Sequence, residues 1–418
     1  MPLIPPSSPL RRRDYLRLWL GQAISRFGDQ FTVIALLWFV LQLTGSGTIV
    51  GLVVLCFELP AVLTGPLLGR LLDHLQPRLL MGADNLLRAL VIALVPILNA
   101  LGVLQMWQIY VLALCAGALS PVTMIGVRVM LPALVPDSEL DQANALSSFN
   151  LQFAALAGPV IAGVVVAAVG GPWALLIDAA SFVVMGLLVL TLPNIPRQHD
   201  RNRAHSGGRW MGFGLLFARK DLRALTLLAA IFFFSYGPLE AALPVYNQAI
   251  LHAGATGYGL LWTGFGVGAV IGALGTTLVA RYHRPGLLLA GIAVLWGALL
   301  SPLIVLHQLP LAMLFLALAG CAWAPYTAIE TSLLQRLVPE HIRGGLFGAR
   351  STLTTAAAPL GAVVGGLLLG VGSAPLVIGL SALACVLTGL LGLMSPALLG
   401  LRRVEAESDE ALVALRSR

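Results

Sequence analysis

Apolar runs long enough to cross a bilayer follow one another along nearly the whole chain, separated by Gly, Pro and charged residues. A helix needs about 20 apolar residues to span the hydrocarbon, so these 418 residues are counted in helices rather than soluble domains. Reading the windows between punctuation predicts twelve spans. The first six are Tyr15–Leu43, Thr48–Leu72, Leu79–Leu101, Met106–Leu134, Leu140–Val169 and Pro172–Leu192. After the polar stretch PNIPRQHDRNRAHSGGRW come Leu222–Ile250, Tyr258–Tyr282, Gly286–Leu306, Pro310–Leu337, Arg343–Leu369 and Ala374–Leu399. Composition agrees: 58% of residues are hydrophobic and 10% charged, against roughly 45–50% and about 25% in soluble domains. The N-terminal stretch PLIPPSSPLRRRDYLRLWLG leads into a full-length span rather than a cleavage site, so the first helix is expected to stay.

Basic residues fix the orientation. One set of alternate loops carries Arg11 to Arg17, Arg70 and Arg78, Arg197 to Arg223, Arg281 and Arg284, Arg336 to Arg350, and Arg402 onward. The other set contains no Arg or Lys. Lys and Arg accumulate on the cytoplasmic side, which places both termini and the central linker inside, in a multi-pass protein of the inner membrane. The net charge of +7 is thereby explained without nucleic acid, which would need a folded basic face in water.

The chain is also an internal repeat. LVPDSELDQANALSSFNLQFAALAGPVIAG aligns without a gap on LVPEHIRGGLFGARSTLTTAAAPLGAVVGG, pairing Pro136 with Pro339, Gly158 with Gly361 and Gly163 with Gly366 at an offset of 203. A second alignment pairs Gly51 with Gly259 and Pro77 with Pro285 at an offset of 208. The expected fold class is an all-α membrane protein of twelve transmembrane helices in two six-helix, pseudo-symmetric bundles. The N-terminal bundle takes residues 1–193, the linker 194–220, the C-terminal bundle 221–399 and the tail 400–418. Gly264, Gly268 and Gly272, spaced by four, fit close helix approach between the halves, with Gly158, Pro159 and Gly163 as further packing positions.

Parallel repeats about a midplane site are the architecture of major facilitator superfamily transporters, and short motifs carry the resemblance further. Gly69-x-x-x-Asp73 with Arg78 resembles that family's loop signature G-x-x-x-D-R-x-G-R-R, with His74, Gln76 and Pro77 replacing its usual R, G and R. YLRLWLGQAISRFGDQFTVIALLWFVLQLTGS, GPLLGRLLD and GADNLLRA resemble the macrolide-efflux-like and siderophore-exporter-like branch, with its G-D pair in the first helix and D-x-x-x-R in the third. AGPVIAG is similar to the antiporter signature G-P-x-x-G-G, with Ala162 in place of its first paired glycine. The resemblance implies that Asp73 latches the halves in the outward-facing state by accepting hydrogen bonds from the start of the eleventh helix. Gly69 and Arg78 belong to that latch, and Asp84, Arg88 and Arg128 could join Asp73 in one charge network. The alternative for Asp84 and Arg88, four apart on one face, is a fixed ion pair.

An ionised residue at the centre of a span costs at least roughly 2.5–3.5 kcal/mol, so the acids that remain there need a reason. Glu58 and Glu240 have no base within a turn on their own helices and are favoured as proton-coupling groups, followed by Asp29, for which pairing with Arg26 is the alternative. Desolvation favours the neutral form of a carboxyl group, so such a group can carry a proton inward while changing its affinity for cargo. Asp178 and Glu330 read as helix–helix hydrogen-bonding groups. Phe31, Trp38, Phe57, Phe149, Phe153, Tyr236, Tyr246, Trp262 and Trp323 are candidates for the wall of a substrate cavity, since large apolar cavities with few polar groups suit amphiphilic molecules. Packing is the alternative role for each.

No phosphate-binding G-x-x-x-x-G-K-[ST] run, H-E-x-x-H motif or nucleophile–base constellation is present, which argues against an enzyme. The four cysteines lie singly in apolar runs, so neither a disulfide nor a metal site is expected. The expected function is proton-coupled, multidrug-type efflux of drug-like or siderophore-like amphiphiles by an antiporter. Its partners are the cargo, protons and membrane lipids, with no cofactor, and it acts as a monomer. The alternatives are a transporter of a lipid or native metabolite, and a non-transporting membrane sensor on the same fold.

Overall fold

The computed structural model describes residues 8–194, 209–279, 284–338 and 340–401. The side chain of Asp73 and most of the expected linker and tail lie outside the described residues. Among those residues, twelve helices are long and apolar enough to cross a membrane. They are α1 (Arg13–Thr44), α2 (Gly47–His74), α3 (Pro77–Ala100), α4 (Met106–Leu134), α5 (Asp137–Val169), α6 (Gly171–Leu190), α7 (Lys220–Leu251), α8 (Gly254–Val279), α9 (Pro285–Leu300), α10 (Leu309–Leu337), α11 (Glu340–Leu369) and α12 (Ala374–Met394). The chain is an all-helical, multi-pass membrane protein.

Local chemistry sets the boundaries. Gly45 closes α1 in the left-handed region (φ 64°) and donates its N–H to Leu41, an arrangement a Cβ would strain. The side chains of Ser46 and Ser373 cap α2 and α12 by accepting the N–H groups of Ile49 and Leu376. Three features add to the sequence reading. The fourth span is two helical segments joined at Ser120–Pro121, because proline has no N–H to continue the ladder. There the Ser120 hydroxyl donates to Gly117 O at 2.9 Å. The end of α7 widens into a π-helical turn, Asn247–Leu251. The expected polar linker ends in a helix, Arg209–Ala218, whose Leu216 is fully buried and which packs against α11.

Within the first half α1 packs on α5 and α6, α3 on α6 and α2 on α4; within the second, α7 packs on α11 and α12, α9 on α12 and α8 on α10. Two seams join the halves: α2 against α11 and α5 against α8. At the first, Gly51 meets Gly366, and a methyl on either would stand 3.0 or 3.1 Å from the partner's Cα. At the second, Gly163 meets Gly259 with the same 3.1 Å clearance both ways. The sequence offsets of 208 and 203 carry one pair onto the other, so the repeat generates both seams. The Thr48 hydroxyl adds a hydrogen bond to Gly366 O at 2.6 Å.

The stripe Gly264, Gly268 and Gly272 is not at a seam, contrary to the sequence reading. Its backbone faces Met313, Ala317 and Cys321 of α10, inside the second half. Gly259 and Gly266, on another face of α8, are the ones that reach across to α5.

All these seam contacts lie toward the face whose loops lack Arg and Lys, the base-free face, or at midplane. Among the described residues, every inter-half hydrogen bond, glycine approach and ring contact does so. Filling a seam should therefore part the halves at that face. Overpacking costs roughly 1–3 kcal/mol, which at 1.4 kcal/mol per decade shifts a balance about tenfold. In Gly51→Leu or Gly259→Leu, a cysteine introduced by Ala255→Cys should accordingly react about tenfold faster with an impermeant maleimide. Unchanged reactivity would show that the glycines do not form the closure.

Candidate functional site

A chain of chambers lies between the halves, on the side of the seams facing the basic loops. The first, about 270 Å³, is walled by Gln30 and Val33 of α1, Gln152 of α5, Tyr236 and Glu240 of α7, and Trp262 and Phe265 of α8. The second, between α1, α2 and α7, shares Val33 and Glu240 with it and adds Thr32, Phe57 and Glu58. The third, about 410 Å³, shares Phe57 and Glu58 and adds Ser120, Phe233, Thr354 and Thr355. Glu58 and Glu240 thus come from opposite halves to line one chamber. Glu240 Oε2 has no hydrogen-bond partner among the described residues. Among the described residues, no Arg, Lys or His lines any of the three chambers.

Of the aromatic candidates, Phe57, Tyr236 and Trp262 line these chambers. Trp323 backs the wall, its ring 5.0 Å from Tyr236 and 4.5 Å from Phe232. The others are elsewhere. Trp38 stacks on Tyr258, 6.1 Å between centroids, in the closure at the base-free face. Phe31 is buried in the first-half core, and Phe149 and Phe153 stack on each other on exposed α5. The Tyr246 hydroxyl donates to Leu306 O at 2.7 Å. Sequence reading missed Gln30, Thr32 and Gln152. Polar side chains on apolar spans were the available signal, but depth and direction come only from packing.

A second polar centre lies inside the first half. Arg88 Nη2 donates to Asp29 Oδ1 at 3.2 Å, and its guanidinium lies 4.0 Å from the centre of the Phe182 ring, a cation–π arrangement. Asp29 therefore pairs across helices with Arg88, not with Arg26. Asp84 does not pair directly with Arg88 either: it accepts the Thr123 hydroxyl at 2.6 Å, and its Oδ1 has no hydrogen-bond partner among the described residues. Asp178 accepts the hydroxyls of Thr32 at 2.5 Å and Ser181 at 3.0 Å. Gly28 makes the approach possible, because a Cβ there would strike Asp178 and Ser181. The G-D pair of α1 and the D-x-x-x-R of α3 thus converge on one cluster.

Asp84 and Arg88 are buried and turn toward α4 and α1. Arg128 is exposed and forms no ion pair among the described residues. Arg78 donates to Leu192 O at 2.8 Å, tying the start of α3 to the end of α6, and Gly69 faces Ile125 of α4. The Asp73 side chain lies outside the described residues. In the second half, fully buried Glu330 forms a two-pronged ion pair with Arg350 Nε and Nη2.

Residues 18–362 match the model of the Major Facilitator Superfamily. The multidrug efflux pump Tap of Mycolicibacterium fortuitum is 28% identical over 369 residues, 85% of this chain and 89% of that one. Macrolide efflux protein A of Streptococcus pyogenes is 23% identical over 365 residues, 84% and 88% of the two chains. Among solved structures, the nucleoside transporter NupG superposes with a TM-score of 0.72 at 14% identity, covering 91% of this chain and 98% of that one. A bacterial homologue of the iron transporter ferroportin in an inward-facing state gives 0.73 at 17% identity, with 91% and 98% coverage. These last two likenesses concern the fold alone.

Removing one partner of a buried ion pair costs about 3–5 kcal/mol, because the other charge is stranded. Arg350→Met should lower the thermal unfolding midpoint sharply, and the double variant Glu330→Gln/Arg350→Met should recover most of the loss. Equal destabilisation in the single and double variants would rule out stranding of Glu330 as the cause.

Proposed function

Because this chain belongs to the Major Facilitator Superfamily and is a transporter rather than an enzyme, we propose that it exports amphiphilic small molecules by alternating access, driven by proton entry. The observation that carries this reading is the chamber between the halves, where Glu58 and Glu240 meet among aromatic walls with no base among the described residues. The names of the relatives, both efflux proteins, support the direction. The positive-inside rule makes the basic face cytoplasmic, in the inner membrane, so the chamber faces the compartment from which cargo is collected.

The lining also narrows the cargo. Two carboxylates without a counterion favour a basic nitrogen, and Trp262, Phe265, Tyr236 and Phe57 favour an apolar or aromatic body. An anionic siderophore-like molecule would meet like charge, which makes a drug-like amine the better fit of the two expected cargo classes. Coupling follows from competition. An isolated carboxylate at the membrane centre is costly by roughly 2.5–3.5 kcal/mol, so it is stabilised either by a cationic cargo or by a proton. Cargo loaded from the cytoplasmic side leaves when protons from the other side neutralise the acids. The halves then return with the protons and release them inside.

Truncating one partner of a buried charge pair costs about 2–5 kcal/mol. Glu58→Gln and Glu240→Gln should therefore each weaken binding of a lipophilic amine by about tenfold or more, while a neutral molecule of similar shape binds as before. In proteoliposomes, wild-type protein should drive the amine against an imposed proton flow. Undiminished amine affinity in both variants, or movement indifferent to the proton gradient, would contradict the proposal.

A further inference from the structure

Among the described residues, the chamber acids are not the only carboxyl groups within the membrane without a base. Inside the first half, three carboxyl groups (Asp29 on α1, Asp84 on α3 and Asp178 on α6) share one guanidinium, Arg88, which contacts Asp29. Asp178 is 1% exposed and Asp84 2%. Asp178 is held by two hydroxyls, and the charged groups acting on it are Asp29 and Arg88. Two uncompensated negative charges in so small a low-dielectric volume would cost several kcal/mol each. A buried carboxyl escapes that cost by taking a proton. Among the described residues, no three His, Cys, Asp or Glu are placed to hold a metal ion instead.

The repeat shows that the bundle does not need these charges in order to pack. The contact of α1 with Gly158 in the first half recurs as α7 with Gly361 in the second. At the positions of Asp84, Arg88 and Asp178 the second half carries Ile292, Trp296 and Ser381, and α7 carries the uncharged Tyr236 and Gly237 at the level of Asp29. Ser381 keeps the contact between the corresponding helices, donating to Ser235 O. The same helix contacts are therefore made there without charge at these positions. Thr32, whose hydroxyl donates to Asp178, also lines the chamber of Glu58 and Glu240.

Resting on the exporter reading, we propose that Asp178, joined through Thr32 to the chamber, holds a coupling proton at a site separate from the cargo. Thr32 passes its hydroxyl proton to Asp178 and takes another from the chamber, so only a proton moves and Thr32 ends unchanged. The Asp29–Arg88 pair beside it senses the change. When Asp178 loses its proton, the carboxylate draws on the guanidinium and loosens the tie between α1 and α3.

The test uses difference infrared spectroscopy of the full-length protein in lipid, following the carbonyl band of neutral carboxyl groups in acidic and alkaline buffer. The expected result is that Asp178→Asn removes one such band, and that Thr32→Val, which deletes the hydrogen bond, shifts it. Asp178→Asn should still bind and exchange a lipophilic amine but lose its proton-driven accumulation. A full set of bands in Asp178→Asn, or accumulation retained, would overturn the proposal. If Asp178→Asn does not fold, an unshifted band in Thr32→Val overturns it instead. The infrared measurement needs no cargo. If wild-type protein moved no amine, the exporter reading would fail, and the band would still decide whether Asp178 holds a proton.

Discussion

The cost of an unpaired charge in hydrocarbon organises this molecule. It expels nearly all the basic residues to one face, where water and headgroups accept them. It leaves inside the spans only those charged groups that have found a partner or a use. Glu330 has Arg350, and Asp29 has Arg88. Among the described residues, Glu58, Glu240, Asp84 and Asp178 have no base bound to them, and they occupy the chamber between the halves and the core of the first half. Without that cost, a carboxyl in these places would have no reason to exchange its charge for a proton or a cationic cargo.

The second constraint is distance of approach. With no hydrophobic drive between helices in lipid, association depends on close packing of small residues, and the two halves meet where glycine faces glycine. Gly51 against Gly366 and Gly163 against Gly259 are one contact written twice, so the closure is symmetric even though the halves it joins are not. The first half carries the charged cluster, whereas the second fills the equivalent volume with Trp296 and the aromatic group around Phe232 and Trp323.

Much of this was legible in the sequence. The twelve spans and the repeat follow from runs of apolar residues and the positions of Gly and Pro. The partner of each face was not. Gly264, Gly268 and Gly272 announce a packing face of α8, but spacing alone cannot say that α10 rather than α5 lies against it. Asp29 and Arg88 lie 59 residues apart, so the nearer Arg26 was the only base a one-helix reading could offer. Aromatic residues reveal nothing of their depth: Trp38 and Trp262 look alike in the chain, yet one closes the base-free face and the other lines the cavity. Glu58 and Glu240 were legible because an acid on an apolar span without a nearby base is rare enough to need a reason.

The central claim is that the two halves expose one acid-lined chamber to one compartment at a time. Spin-label distances across both faces test it most directly, using Leu101→Cys with Val305→Cys at the base-free ends of α3 and α9, and Leu75→Cys with Met394→Cys at the basic ends of α2 and α12. As amine cargo and protons are varied, the first distance should lengthen whenever the second shortens. Two distances that rise together, or that both stay fixed throughout, would contradict the account.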